Sequence, residues 1–406
     1  SLDWKHELEA FQADSRALES ITDRDLIARS HRAVDAAAEL TRARFSRYLI
    51  PLMFKRAEAD MMMKIARLGP SVTTEDLFAN LDFVTAHIDR EISRLCKRAR
   101  GLGLDDVLVE TDNAVESLSK HANGPTFLEE VQQTLSRIGA RTPRMYLPYS
   151  SRSWGENPEA FFTLIAAGIR GRHTMDADRA DKRQLVRSRL PRFLHKRWDR
   201  TVTALRALHV AREGSLYLIE EWFVEARRVM DEIAHRLVER GILANPSDVT
   251  YALFDEVESA LLAEDPSSDL QQKISRRKQK RTTAETLWWD RGKHRSEADG
   301  IKGVGASPGV TMGTARVIHG PEEFGLLEPG EILVCRYTDP TWTPLFNVAA
   351  AVVADTGGPL SHAAIVAREV GIPAVLGTQS GTQDIVSGQT IRVDGNTGLV
   401  TPVESE

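Results

Sequence analysis

The chain has 406 residues, of which 42% are hydrophobic and 27% charged, a composition typical of a soluble globular protein with two or three domains. Its formal net charge of −5 argues against a general nucleic-acid binder or a protein of anionic membranes. Its two cysteines, Cys96 and Cys335, are too few for a disulfide framework or a cysteine zinc cluster. The sequence has no signal-peptide pattern and no apolar run near the ~20 residues of a membrane span, so we expect a cytoplasmic location.

Glycine content and charge divide the chain near residue 300. Residues 1–300 hold 12 glycines, with 48 Lys and Arg against 47 Asp and Glu, whereas residues 301–406 hold 15 glycines, with 5 basic residues against 11 acidic ones. Few glycines and dense mixed charge favour helices, while many glycines with Val and Ile runs favour short strands and turns. We therefore predict an all-α domain over residues 1–285, a linker or hinge over 286–301 and a small sheet-rich domain over 302–402.

Local signals in the first part predict long helices. Thr22, with Asp25 three residues later, is close to a capping box and marks a helix start. Pro51 is expected to kink or restart the helix that follows. Another long helix is predicted over residues 217–240, because Gly241 comes next and glycine is the usual residue just past a helix end.

The rest of the chain predicts a solvated helix followed by short strands. Residues 267–300 are polar and include the basic run 276–281, which we interpret as a helix surface rather than a nucleic-acid signal. A further helix is predicted between residues 360 and 370. Segments rich in Val and Ile and separated by Gly, Pro and Asp predict strands; these are residues 313–318, 331–335, 349–354, 374–376 and 390–393.

The densest set of chemically capable residues surrounds His362. A predicted strand leads into two glycines, which let the backbone approach a ligand, and His362 then opens a helix whose N-terminus favours a bound phosphate. An imidazole in that position is suited to attack phosphorus. We therefore predict that His362 is catalytic. The candidate phosphate-binding residues are Thr356, Gly357, Gly358, Ser361 and Arg368.

Two segments of the last part resemble the swivelling phosphohistidine domain of the phosphoenolpyruvate-utilising enzymes. The first is Gly-Val-Gly-Ala-Ser-Pro-Gly at residues 303–309, and the second runs from Thr356 through His362 to Ala374. The resemblance implies a β/β/α swivelling fold for residues 302–402 and transient phosphorylation of His362.

The helical part resembles the substrate-binding domain of rifampicin phosphotransferase-like enzymes over residues 153–158 and 225–249. That family often has Gly-His-Arg where this chain has Gly139-Ala140-Arg141, so the role of the family's second histidine is not carried over. A family Arg-Glu pair has its counterpart in Arg212-Glu213. Residues 1–285 are thus expected to bind substrate, with positive charge supplied by candidate residues Arg141, Arg212 and Arg227.

Nothing in the sequence resembles the ATP-grasp domain of the single-chain members, or the barrel that phosphoenolpyruvate synthase places after its histidine domain. The chain therefore resembles the phosphohistidine subunit of phenylphosphate synthase and of related two-subunit enzymes that phosphorylate cresol. This implies an ATP-grasp partner subunit that holds ATP and Mg²⁺, with no cofactor or metal in this chain. The phosphoryl acceptor is expected to be a small organic hydroxyl such as a phenol, and no nucleic acid or membrane is expected as a partner.

Two alternatives stay open. The chain begins at Ser1 rather than at a methionine, so it also fits the C-terminal part of a single-chain antibiotic phosphotransferase of the rifampicin type. It also fits a non-catalytic phosphocarrier that relays phosphate to a protein. The long helical part ahead of the histidine argues against the second alternative, because a carrier needs no substrate domain.

Overall fold

The computed structural model describes residues 2–13, 18–68, 72, 74–78, 81–109, 113–142, 149, 151–170, 181–262, 269–290, 300–359 and 361–403. The α-helices, α1 to α15, are Leu2–Ala13, Asp23–Ala43, Ile50–Ile65, Val84–Gly101, Asp105–Val109, Ala114–Lys120, Gly124–Ile138, Pro158–Arg170, Arg183–Arg189, His195–Glu239, Phe254–Leu262, Asp269–Asp290, Thr343–Phe346, His362–Val370 and Gly381–Asp384. The strands, β1 to β8, are Ile301–Lys302, Val304–Ser307, Val310–Ile318, Ile332–Cys335, Ala351–Ala354, Ala374–Leu376, Thr390–Asp394 and Leu399–Pro402. The predicted fold class, a helical first part followed by a small sheet domain, is confirmed. Among the described helices, none is both long and apolar enough to cross a membrane.

The first long helix begins and continues as its sequence signals predict. Thr22 Oγ1 accepts a hydrogen bond from the backbone N–H of Asp25 at 3.1 Å, which satisfies one of the N–H groups left free at the start of α2. A π-helix over Arg44–Leu49 then joins α2 to α3. Pro51 lies in the first turn of α3, directly after this π-helix, where it has no N–H to donate to the preceding turn.

Helix α10 is longer than the predicted 217–240. It begins at His195, because its early turns bury Trp198, Val202 and Leu205 at helical spacing in a cluster shared with α3. Its end agrees with the prediction, since Gly241 adopts a left-handed φ of 70° directly after the helix.

The basic run at residues 276–281 lies in α12, and two of its side chains form ion pairs. Arg277 donates two hydrogen bonds to the carboxylate of Glu256 on α11, at 2.6 and 3.0 Å. Lys278 pairs with Asp248 at 2.5 Å. These two side chains therefore fasten α12 to the preceding helices, and the interpretation of the run as a helix surface rather than a nucleic-acid signal stays a prediction.

Contacts divide the chain into two compact units. The first comprises residues 1–84, 144–152 and 180–288, and the second comprises 85–143, 153–179 and 289–406. Helices α4, apart from its first residue, and α5 to α8 therefore share the second unit with the sheet. The domains predicted from composition, residues 1–285 and 302–402 with a linker between them, are instead continuous stretches of the chain. Their boundaries stay a prediction.

Eight strands form one sheet in the order β1-β8-β7-β3-β4-β5-β6-β2. Strands β3 to β6 run parallel, and antiparallel strands flank them on both sides. The register pairs Cys335 with Ala354 and Ala354 with Leu376, so three parallel strands end at one edge. Helix α14 packs against β2, β5 and β6. The sequence analysis did not predict β1, β2 and β8, which have two to four residues each.

Replacing Gly395 with alanine is expected to destabilise the second unit. A Cβ at Gly395 would lie 1.9 Å from the carbonyl oxygen of Ser307, so the backbone would have to shift. We expect a loss of about 1–3 kcal/mol in the free energy of unfolding, measured by denaturant titration. Gly358→Ala is the matched control, because a Cβ there meets nothing within 4 Å. Equal stability of the two variants would contradict the packing described here.

The Glu256–Arg277 pair predicts a pH-dependent stability. Hydrogen bonds from Arg277 lower the pKa of Glu256 from 4.5 to about 2. A carboxylate with a depressed folded pKa stabilises above its unfolded pKa, and this contribution is lost as the pH falls from about 4.5 to about 2. We therefore expect Glu256→Gln to cost about 0.5–1 kcal/mol at pH 7 and almost nothing near pH 2. Thermal unfolding across this range tests the expectation, with Asp255→Asn on the same helix as an exposed control; an equal cost at both pH values would refute it.

Candidate active site

The candidate site lies where β4, β5 and β6 end. Residues 336–342 follow β4, residues 355–358 follow β5, and Gly377 follows β6. Because the carboxyl ends of parallel strands meet at one edge of a sheet, ligands commonly bind there. Helix α14 begins at this edge, and His362 is its first residue. The fold therefore sets the predicted catalytic histidine at a position suited to a ligand.

Threonine hydroxyls contact both nitrogens of the His362 ring. Thr338 Oγ1 lies 2.9 Å from Nδ1, and Thr343 Oγ1 lies 3.3 Å from Nε2. The Phe346 ring stands edge-on to the imidazole, with 6.1 Å between the centroids. Since a hydroxyl both donates and accepts, these contacts suit either neutral tautomer of the ring. The imidazole is thus half-buried, fixed in orientation and occupied at both nitrogens.

The glycine loop before α14 leaves the helix N-terminus open to an anion. Gly357 has a φ of 112°, which L side chains rarely adopt. Both the N–H and the hydroxyl of Ser361 donate to the carbonyl of Gly358, at 2.9 and 2.8 Å. The Ser361 side chain accordingly makes no capping hydrogen bond to the described residues of α14. The first-turn N–H groups, with their partial positive charge, therefore face the site beside His362.

The other two predicted phosphate-binding residues contact backbone carbonyls. The Thr356 hydroxyl is exposed and donates to the carbonyl of Arg336 at 3.1 Å. Arg368 donates to the carbonyls of Ala306 and Pro359, both at 2.7 Å, so it joins α14 to β2 and to the loop before His362. Binding of phosphate by these residues stays a prediction.

The three candidate arginines of the helical part lie in different units. Arg141 is 1% exposed and belongs to the second unit with His362. Arg212 and Arg227 belong to the first unit, on α10, where Arg227 is 1% exposed and Arg212 approaches Glu213 at 3.5 Å. Burial raises the pKa of Tyr149, and the charge of Arg227 opposes that shift. Acceptor binding by these arginines stays a prediction.

The sequence analysis missed Thr338, Thr343 and Phe346. They belong to the segment after β4, which comes 16–24 residues before His362. A signal was present, because Thr338 and Thr343 lie within eight residues after the end of a predicted strand. Within the described part of the chain, no group of three or more His, Cys, Asp or Glu residues is arranged to hold a metal.

A helical part joined to a small sheet that presents a histidine at a helix N-terminus is the architecture expected of enzymes with a mobile histidine domain. Residues 327–398 match the family model for the mobile domain of PEP-utilising enzymes. Residues 49–215 match the model for the fourth domain of rifampicin phosphotransferase. The resemblance seen in the sequence is thus confirmed: the chain joins a mobile domain of the phosphoenolpyruvate-utilising enzymes to a helical part like that of rifampicin phosphotransferases.

Curated relatives extend the similarity over most of the chain. An uncharacterized phosphotransferase of Bacillus subtilis, YvkC, is 30% identical over 318 residues, which are 71% of this chain and 38% of that protein. The uncharacterized protein Rv2047c of Mycobacterium tuberculosis is 31% identical over 343 residues, 80% of this chain and 37% of that protein. A rifampicin phosphotransferase of B. subtilis is 30% identical over 320 residues, 72% of this chain and 36% of that protein. The chain therefore spans less than two fifths of the length of these relatives.

Removing the Thr338 hydroxyl is expected to loosen the imidazole. Thr338→Val keeps the shape of the side chain but deletes the 2.9 Å contact to Nδ1, so the Nδ1 resonance of His362 in ¹⁵N spectra should move toward that of a free imidazole. Thr356→Val is the control, because that hydroxyl contacts the Arg336 carbonyl. Unchanged ring resonances in Thr338→Val would show that the hydroxyl does not hold the ring.

Proposed function

We propose that this chain is the phosphohistidine component of an ATP-dependent phosphotransferase. His362 takes a phosphoryl group that originates from ATP and passes it to a small organic hydroxyl. The observation that best supports this role is the position of the His362 ring, held between Thr338 and Thr343 at the open N-terminus of α14. That position combines an oriented nitrogen nucleophile with N–H donors for the phosphoryl oxygens.

Delivery balances without a further reactant, whereas loading that releases both AMP and phosphate from ATP also consumes one water. Loading forms a bond from phosphorus to a His362 nitrogen and breaks the bond from phosphorus to the donor's leaving group. Delivery forms a bond from phosphorus to the acceptor oxygen and breaks the N–P bond, and the hydroxyl proton passes to the released imidazole. Phosphoryl transfer depends mainly on alignment and on charge stabilisation. The first turn of α14 contributes both at His362, and Arg141, Arg212 and Arg227 are proposed to contribute charge at the acceptor.

We assign ATP and Mg²⁺ to a separate ATP-grasp subunit, where loading of His362 consumes one water and releases AMP and phosphate. The acceptor in this proposal is a phenol such as phenol or cresol. Such a partner would have to reach the His362 edge of the sheet, which requires the mobile domain to swing between two sites. Once His362 is phosphorylated, water has to be kept from it at both sites, because the N–P bond is labile to hydrolysis.

A second candidate acceptor is an antibiotic. It is favoured by the match of residues 49–215 to a rifampicin phosphotransferase domain and by relatives that bear that name. In this version the ATP-binding segment and the present chain form one polypeptide. Both versions use His362 in the same way and differ in the acceptor and in the covalent arrangement.

Direct chemical loading tests the proposal without the partner. The chain is incubated with phosphoramidate, freed of reagent and offered phenol, p-cresol or rifampicin, and products are followed by ³¹P NMR. We expect an acid-labile phosphohistidine at His362 and formation of an aryl phosphate. His362→Gln should abolish both, because glutamine keeps a polar side chain but has no nucleophilic ring nitrogen, whereas His319→Gln, an exposed control in the same domain, should behave like the wild type.

The acceptor series separates the versions. Formation of an aryl phosphate from phenol or p-cresol supports the phenol version. Phosphorylation of rifampicin but of neither phenol supports the antibiotic version. Loading without discharge to any of these acceptors would refute transfer to a small hydroxyl and revive the phosphocarrier. Equal loading of His362→Gln and wild type would refute the catalytic role of the histidine.

A further inference from the structure

Arg170 links the helical part of the second unit to the sheet domain. It is the last residue of α8, and its guanidinium donates one hydrogen bond to the carbonyl of Gly325 and another, at 2.6 Å, to the carbonyl of Val109 at the end of α5. Gly325 belongs to the 3₁₀ helix Pro321–Leu326 that follows β3. One side chain thus joins α5, α8 and the domain that carries His362.

A continuous set of contacts runs from this linkage to the histidine. Phe324, next to Gly325, is buried, and its ring meets Trp342 with 4.7 Å between the centroids and an interplanar angle of 66°. Trp342 directly precedes Thr343, the first residue of α13. Helix α8 also packs against α13 itself and against the 3₁₀ helix. The short helix α13 therefore packs against α8 and directly follows Trp342, the last residue in this set of contacts.

The same short helix supplies the contact to Nε2. Thr343 is 6% exposed, and its hydroxyl lies 3.3 Å from Nε2 of His362. In one tautomer the hydroxyl donates to the Nε2 lone pair, and in the other it accepts the Nε2 proton. In both cases the in-plane position at Nε2 is filled, so a phosphorus atom has no approach to that nitrogen until Thr343 moves.

We propose that Arg170 is a positioning residue that keeps Nε2 of His362 covered while the histidine domain is docked on α8. Loss of the Arg170–Gly325 hydrogen bond frees the 3₁₀ helix and α13, and the withdrawal of Thr343 exposes Nε2. This inference rests on the proposed role of His362 as the phosphoryl carrier. The docked arrangement is then a resting state of the unloaded histidine, which is released where the phosphoryl donor binds.

Phosphorylation of His362 should in turn weaken the docking of the histidine domain on α8. If docking on α8 disfavours phosphorylation of His362, then phosphorylation must disfavour this docking by the same factor. A phosphoryl group on Nε2 occupies the space of the Thr343 hydroxyl, which supplies the required difference in free energy between the two states. Loading therefore drives the domain off α8 and toward its next site.

The test compares Arg170→Ala with Arg100→Ala. Arg100 is a matched control, because it donates to the carbonyls of Gly168 and Ile169 at the same end of α8 but makes no described contact with the sheet domain. Loading of His362 by phosphoramidate is timed by mass spectrometry, and hydrogen exchange is measured in peptides covering 321–326 and 343–346. We expect Arg170→Ala to exchange faster in both peptides and to load about two- to tenfold faster, the factor that one net hydrogen bond contributes to an equilibrium. Arg100→Ala should match the wild type in both measurements.

A double-mutant cycle tests the route through Thr343. Thr343→Ala alone should also speed loading, and adding Arg170→Ala should then bring little further gain, because the hydroxyl through which Arg170 acts is already gone. Additive effects would refute the route. Faster exchange in Arg170→Ala with an unchanged loading rate would refute the coupling between docking and Nε2. Absence of label at His362 in both the wild type and Arg170→Ala would instead refute the proposed function, so the two failures are distinguishable.

Discussion

The His362 ring is held at both nitrogens by hydroxyls of a single segment, and the rest of the site depends on that constraint. Thr338 and His362 are 24 residues apart in the chain and meet because β4 and β5 pair in parallel, with Cys335 opposite Ala354. A helix N-terminus alone gives an anion site but no oriented nucleophile. The parallel register supplies the orientation, and the open first turn of α14 supplies the charge.

The loop around the histidine is held by contacts that do not involve a ligand. Arg368 bonds two backbone carbonyls, and the Asp355 carboxylate accepts hydrogen bonds from the N–H of Thr382 at 3.0 Å and from the Thr378 hydroxyl at 3.2 Å. These contacts join the loops that follow β5 and β6. The site is therefore preorganised, which lowers the free energy spent on ordering it when a phosphoryl group arrives.

The helical part contributes to this picture in two ways. The guanidinium groups of Arg141 and Arg227 are buried, each residue being 1% exposed. Buried charged groups need polar partners, so these side chains are held in one position. Helix α8, in contrast, contacts the histidine domain through Arg170 and packs against α13, the helix that holds Thr343. Because packed elements shift between discrete arrangements, a change at α8 reaches the imidazole as a change of contact rather than as a gradual deformation.

The sequence by itself determined the local features. Thr22 and Asp25 marked the start of α2, Gly241 marked the end of α10, and the glycines before His362 identified the loop and the helix that carry the candidate nucleophile. These features depend on residues close in the chain, where capping, glycine backbone freedom and periodicity act. Only the tertiary structure decided which hydroxyls meet the imidazole, that Arg368 bonds backbone carbonyls, and that α8 shares a compact unit with the sheet. Such contacts join residues far apart in sequence, and they follow from strand register and helix packing, which no local pattern encodes.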